Sequence, residues 1–309
     1  MRYSARMRIR PESSTAAPRT GTVPVEDAAL FVREVGAGQP LLVIHGGPDF
    51  DHHYLLPDLD RLADGYRLIY YDQRGRGRSG EGVRPEDVTL ASDLADIDRV
   101  REHFGLPSVA VMGHSWGGLL AMEYAIRHPD HVSHLILMST GPASYADSQL
   151  VRAERHRKEP AVVARLQELG ATERLRSGDL GADGEYYLVH FGSSFRSSEH
   201  LERLLGNLRV GATPEGIRTA RAIEDRLYAE TWLAPGYDLL PALARLSVPT
   251  LVLHGDRDLV PLACAEHIAA AIPGARLEVL KDTGHFPYIE RPAEVRRAID
   301  QLFEGERRR

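Results

Sequence analysis

The chain has 309 residues, a formal net charge of -6 at neutral pH and 27% charged residues. That length is enough for one large buried core, and the negative balance argues against nucleic acid as the main partner, because such proteins usually carry a basic face. No run approaches the ~20 apolar residues that span a bilayer. The single Cys264 cannot close an internal disulfide, so nothing demands an oxidising compartment.

In chain order, residues 1–21 are rich in Arg, Ser, Pro and Thr and lack an apolar stretch of signal-peptide length. They read as a loose tail, too short to make a convincing transit peptide, and the expected compartment is the cytoplasm. From Ala29 to Val35 the pattern is that of a strand, and Pro40 to His45 is a second, apolar on both faces. Such runs belong in the middle of a parallel sheet covered by helices. Further strands are expected at Arg67–Tyr71, Ser108–Met112, His134–Met138, Thr250–His254 and Leu277–Leu280. Leu90, Leu94, Ile97 and Phe104 mark one intervening helix, Ala265 to Ala271 a short second, and Val295, Ile299 and Leu302 a last one entered through Pro292. The alternation predicts a mainly parallel, doubly wound α/β sheet. It stops over residues 142–238, where helical patterns at 162–169, 201–208 and 217–227 alternate with Gly- and Ser-containing loops. This stretch reads as an inserted helical cap between core segments 22–141 and 239–309.

The centre of the chemistry is Gly113-His114-Ser115-Trp116-Gly117. An apolar strand ends there and a helical pattern, with Leu119, Met122 and Ile126 on one face, begins at once. A serine on so sharp a turn needs small flanking residues, which Gly113 and Gly117 provide. The helix behind it offers its positive end, and the Trp116 N–H is free to face a developing oxyanion. A serine hydroxyl is a poor nucleophile alone and needs a base held by a third group. Two later strand ends supply candidates: Asp256 and Asp258 follow the strand ending at His254, and His285 follows the one ending at Leu280. Functional groups gather at the carboxyl ends of strands in such sheets. The order serine, acid, histidine matches a nucleophile elbow. Asp258 is preferred as the acid, with Asp256 the competing turn residue and Asp282 too close to His285 in sequence. In His45-Gly46-Gly47-Pro48, consecutive glycines let a backbone N–H approach an oxyanion, and Gly47 is expected to pair with Trp116.

Taken together, His45-Gly46-Gly47-Pro48, the stretch from Asp72 to Ser79, Gly113 to Gly117, the Gly255 to Asp258 turn and Gly284-His285 resemble the α/β-hydrolase family. Within it they are most similar to the proline iminopeptidase-like group, over about residues 22 to 303. The resemblance implies an eight-stranded sheet with a helical cap, release of N-terminal proline from small peptides, and a triad at Ser115, Asp258 and His285. It also implies amine binding in the cap, where Glu224 matches the family's position, although a solvated helix face is the competing reading. Two departures bear on the pocket floor: Asp49-Phe50 follow the His-Gly-Gly-Pro motif where the group has another glycine, and His114 stands where it commonly has glycine. Phe50 is expected to touch substrate.

Two motifs are set aside. Gly75 to Gly80 matches a dinucleotide fingerprint, but the following residues do not open a helix, and Asp72 with its neighbouring arginines reads as a set of structural pairs. His52 and His53 are expected to point to opposite sides of an extended segment, without the spacing of a zinc site. No cofactor or metal is expected. Three functions remain in order: a proline iminopeptidase-like aminopeptidase, a carboxylesterase or lactonase of the same fold, and a ligand-binding protein without turnover. Oligomeric state is not legible.

Overall fold

The computed structural model describes residues 17–304; residues 1–16 and 305–309, which carry most of the arginine-rich tail and the C-terminal charge run, lie outside the described residues. Eight strands form one sheet: β1 (Arg19–Val25), β2 (Ala28–Val35), β3 (Gln39–Ile44), β4 (Tyr66–Tyr71), β5 (Val109–His114), β6 (Val132–Met138), β7 (Thr250–Gly255) and β8 (Arg276–Leu280), in the spatial order β1-β2-β4-β3-β5-β6-β7-β8. β1 and β2 run antiparallel to their neighbours, and β3, β4, β5, β6, β7 and β8 pair in parallel. The tail expected to reach residue 21 is therefore shorter, because Arg19 to Gly21 pair with Glu34 to Val32 as an edge strand. Its alternation is weak: only Val23 of its seven residues is buried. Solvated on both faces, such a strand carries no hydrophobic period for a reader to find.

The central strands explain themselves. Every residue of β5 and β7 is buried, as required of strands covered on both faces. One cover contains α1 (Leu90–His103) and α2 (Trp116–Arg127), whose Leu94, Ile97, Leu119 and Leu120 join Leu42, Ile69 and Val111 in one core cluster. Thr89 and Ser92 cap α1 reciprocally, which fixes where it starts.

Between β6 and residue 239 come six α-helices: α3 (Tyr145–Lys158), α4 (Pro160–Gly170), α5 (Glu173–Arg176), α6 (Leu180–Phe191), α7 (Ser198–Leu208) and α8 (Pro214–Glu230). Their two ends are clasped at the sheet. Ser144 and Asp238 form an antiparallel bridge, Leu239 N–H donates to the Ala143 carbonyl at 2.9 Å, and Tyr145 N–H to the Tyr237 carbonyl at 2.7 Å. After α9 (Leu240–Leu243), the chain returns through β7, α10 (Leu262–Ala271), β8, α11 (Pro287–Glu290) and α12 (Pro292–Glu304). Cys264 is buried on α10, and burial pushes its thiol up to about 12, so it behaves as a small core residue.

Candidate active site

Ser115 sits between β5 and α2 with φ 55° and ψ -119°. A non-glycine residue there stores about 1–3 kcal/mol of strain that its surroundings must hold. They do so with backbone. A Cβ on Gly113 would strike the Gly117 carbonyl, and one on Gly117 would strike the carbonyls of Ile44 and His45. The Ser115 carbonyl accepts from Gly118 N–H at 2.9 Å and Gly141 N–H at 3.2 Å, and its own N–H donates to Met138 at 3.1 Å. The turn is thus wedged between β3, β6 and α2.

Ser115 and His285 line the same cavity of about 770 Å³ between the sheet rim and the inserted helices. His285 Nδ1 donates to Asp258 Oδ1 at 2.7 Å, and that oxygen also accepts Val260 N–H at 2.9 Å. Burial opposes the charge on Asp258, but His285 and His254 outweigh it and hold the carboxyl well below the usual range. Asp256 instead accepts Thr283 N–H at 3.3 Å, as a turn residue does, and Asp282 faces Arg196 at 3.1 Å. Of the three aspartates near the histidine loop, Asp258 is the one that touches the imidazole.

The glycine loop lies directly against the serine. A Cβ on Gly46 would come within 3.0 Å of Ser115 Cβ. Gly46 N–H is already taken by the Tyr54 hydroxyl at 2.7 Å. Gly47 adopts φ +122°, closed to other residues by Asp49 and Phe50 backbone. Trp116 opens α2, so no helical carbonyl stands behind its N–H, and its buried ring packs edge-on against Trp232 at 5.3 Å. The loop is clamped from below: Gln73 Nε2 donates to the His45 carbonyl at 2.7 Å, and Arg76 donates to the Pro48 carbonyl at 3.0 Å while paired with buried Asp93 at 2.5 Å. Arg74 similarly forks onto Asp96. The Asp72 to Ser79 stretch is therefore a structural brace, and after its last glycine the chain makes only short turns before α1.

His114 and Tyr54 were not legible as a pair. Tyr54 accepts from Gly46 N–H, so its own proton goes to His114 Nδ1 at 2.7 Å; His114 Nε2 then donates to the His285 carbonyl at 2.8 Å. Burial pushes His114 down to about 3, so it stays neutral in that tautomer. The departure at position 114 was visible; its partner, 60 residues away, was not.

The wall contributed by the inserted helices holds the charges. Phe50 lies in the cavity lining, edge-on to Tyr187 at 5.0 Å and to Tyr54 at 5.4 Å. Asp49 is buried and already partnered, accepting from Arg209 at 2.5 Å and from the Tyr187 hydroxyl at 2.6 Å. Burial opposes its ionisation, yet Arg209 and Arg221 keep it below the usual carboxylate range. Glu224, on α8, also lines the cavity. Burial first, and the Asp49 charge second, raise its carboxyl to about 8. No lysine or arginine among the described residues lies within ion-pair distance of it.

The histidine pair differs from expectation. His52 and His53 share a turn begun by Asp51, which accepts His53 N–H at 2.8 Å, and this folds the two rings into a stack 4.7 Å apart instead of splaying them. Asp51, His52 and His53 could gather around a metal ion. The Nδ1 atoms, however, face Asp72 at 2.5 Å and Asp51 at 3.0 Å, and Arg78 reaches His53 Nε2 at 3.0 Å, so a cation there would meet a guanidinium.

Comparison with known proteins places this geometry among relatives. A family model described as alpha/beta hydrolase fold matches residues 39–292. A proline iminopeptidase of Saccharolobus solfataricus is 27% identical, over 88% of this chain and 88% of its own length. A proline iminopeptidase of Pestalotiopsis fici, PfmaB, is 30% identical, over 87% of this chain and 94% of its own. Among solved structures, a thermophilic esterase from Thermogutta terrifontis superimposes with a TM-score of 0.68 at 26% identity, covering 94% of this chain and 99% of that one.

Proposed function

Because the chain belongs to the α/β-hydrolase fold family, and is a hydrolase, we propose that it works as a serine aminopeptidase of the proline iminopeptidase kind, releasing N-terminal proline from short peptides. Residues 142–238 are its cap. Ser115 Oγ attacks the scissile carbonyl and gives its proton to His285, which Asp258 orients. The Gly47 and Trp116 N–H groups receive the oxyanion. As the tetrahedral species collapses, the C–N bond breaks and His285 delivers the proton to the departing amine. Water, deprotonated by the same imidazole, then frees proline and restores the serine.

The observation that carries the substrate assignment is Glu224: a carboxyl facing the cavity of Ser115, raised to about 8 because burial and the Asp49 charge outweigh Arg221, which stands outside ion-pair distance. An incoming ammonium supplies the missing charge. Phe50 and its aromatic neighbours offer an apolar wall to the pyrrolidine ring. The cavity lies within the range that holds a drug-sized ligand, about 300–1,000 Å³.

One observation favours the second reading, a carboxylesterase or lactonase: Asp49 Oδ2 is engaged by both Arg209 and Tyr187, which weakens the pull of that carboxylate on an amine. A panel of prolyl and other aminoacyl anilides against neutral acyl esters separates the two. The aminopeptidase reading expects prolyl anilide to lead in kcat/KM. It also expects N-acetylation to abolish turnover. Esters cleaved efficiently with no demand for a free amine would replace it with the second reading.

A further inference from the structure

The cavity wall carries more positive charge than an amine-binding pocket calls for. Five arginines line it against three carboxylates, one of them Glu224. Arg221 is bound to Asp183 at 2.7 Å, and Arg176 and Arg218 turn to Glu173 and to the Ser177 carbonyl. Two others, one helical turn apart on α3, are differently placed. Arg152 has no ion-pair partner among the described residues. Arg155 is largely buried, with its side chain 12% exposed, and the nearest carboxylate, Glu159, is 3.6 Å from its guanidinium, beyond hydrogen-bond reach.

His190, on α6, completes the group. Arg155 donates to the His190 carbonyl at 2.7 Å and faces the ring at Nε2, 3.4 Å away. A guanidinium only donates, so Nε2 accepts and the ring proton sits on Nδ1. Burial, then the Arg155 charge, push this imidazole well below its ordinary pKa, which keeps it neutral. Two buried donors thus make no hydrogen bond within the protein: Arg155 Nε–H, which has only the Glu159 Oε2 of its ion pair at 3.6 Å, and His190 Nδ1–H. A buried donor without an acceptor is costly, and its presence in a binding cavity points to a ligand that supplies one. The group lies on the histidine side: His190 packs on Phe191 at 4.6 Å, and Phe191 stacks parallel to His285 at 6.3 Å. Glu224 lies on the other side, hydrogen-bonded to Tyr228, whose hydroxyl reaches toward the Gly47 carbonyl at 3.5 Å.

We propose that Arg155, His190 and Arg152 receive the free C-terminal carboxylate of the substrate, so that the enzyme reads both ends of a zwitterionic dipeptide or tripeptide across Ser115. This rests on the aminopeptidase reading above, which assigns the opposite pole, Glu224, to the amine. A cavity closed by charge at both ends also limits length, since a longer peptide cannot place its carboxylate there.

The test compares kcat/KM of the full-length protein on Pro-Ala, Pro-Ala amide and prolyl anilide. Pro-Ala should exceed its amide by about 10- to 100-fold, the range for a charge-assisted bond to a buried site, with the difference in KM. In Arg155→Met that ratio should fall to near one, and in Arg152→Gln by a smaller factor; the second variant keeps the test open if the first folds poorly. Equal turnover of Pro-Ala and Pro-Ala amide by the wild type, with prolyl anilide cleaved, overturns the carboxylate site alone. Failure to cleave any prolyl substrate overturns the aminopeptidase reading and the peptide with it.

Discussion

The sheet rim and the inserted helices both face Ser115, and they are built in opposite ways. At the rim, position is enforced by backbone: Gly113, Gly117 and Gly46 leave no room for a Cβ, and β5 and β7 are buried along their whole length. In the insert, α3 buries only Asp147 and Ser148 and α4 only Leu169. Four of the five exposed large hydrophobics found among the described residues, Leu180, Leu188, Val210 and Leu233, lie there. The rim is held by backbone contact; the insert packs Tyr187, Phe191, Leu204, Leu208, Ile223 and Leu227 into the two cores but leaves much of its helical surface free to vary in charge. On the proposed function, chemistry and selectivity are therefore separable by mutation.

The sharpest break falls on the rim. Ser115→Ala should lower kcat by about 10⁶-fold and abolish labelling by a fluorophosphonate probe. A variant within tenfold of wild type would leave a ligand-binding protein as the better reading. Asp258→Asn should cost about 10⁴-fold by disturbing the imidazole tautomer, whereas Asp256→Asn, in the turn, should stay within a few fold; reversal of that order moves the acid to Asp256. Gly117→Ala tests rigidity itself. Its Cβ meets two carbonyl oxygens, and a loss of about 1–3 kcal/mol in unfolding free energy is expected, read by denaturant titration.

The smallest effect belongs to the insert. Glu224 has a folded pKa of about 8, above its unfolded value of 4.5. Between those limits the unfolded chain has released the proton and the folded one retains it, so stability falls as pH rises. Glu224→Gln should remove that slope, narrowing the drop in Tm between pH 5 and pH 8. An unchanged slope would mean that the carboxyl is solvated.

The same contrast decides what could be read from sequence. Seven of the eight strands follow from apolar runs, dense in the sheet's middle and sparser at β8, and the turns bearing Ser115, Asp258 and His285 follow from glycines and strand ends, because local backbone needs write themselves into local residues. β1 escaped because five of its seven residues are exposed and Arg19–Val25 carries no apolar run, whereas β8 still shows Leu277, Val279 and Leu280. α6 was missed because Gly181 and Gly184 interrupt its helical pattern, and α3 because charged side chains cover most of it. The cavity charges were beyond reach for another reason. That Asp49 pairs with Arg209, 160 residues away, while Glu224 has no ion-pair partner, depends on packing alone.

The bridge through Tyr54 and His114 has a mechanical consequence. It fastens the glycine loop at Gly46 to the carbonyl of His285 through two side chains on separate segments. Gly47, the proposed oxyanion donor next to Gly46, and His285, the proposed proton carrier, therefore ride on one yoke. A disturbance at either loop is felt at the other, so a Tyr54→Phe enzyme, which keeps the ring but cuts the link, should lose the alignment of both at once.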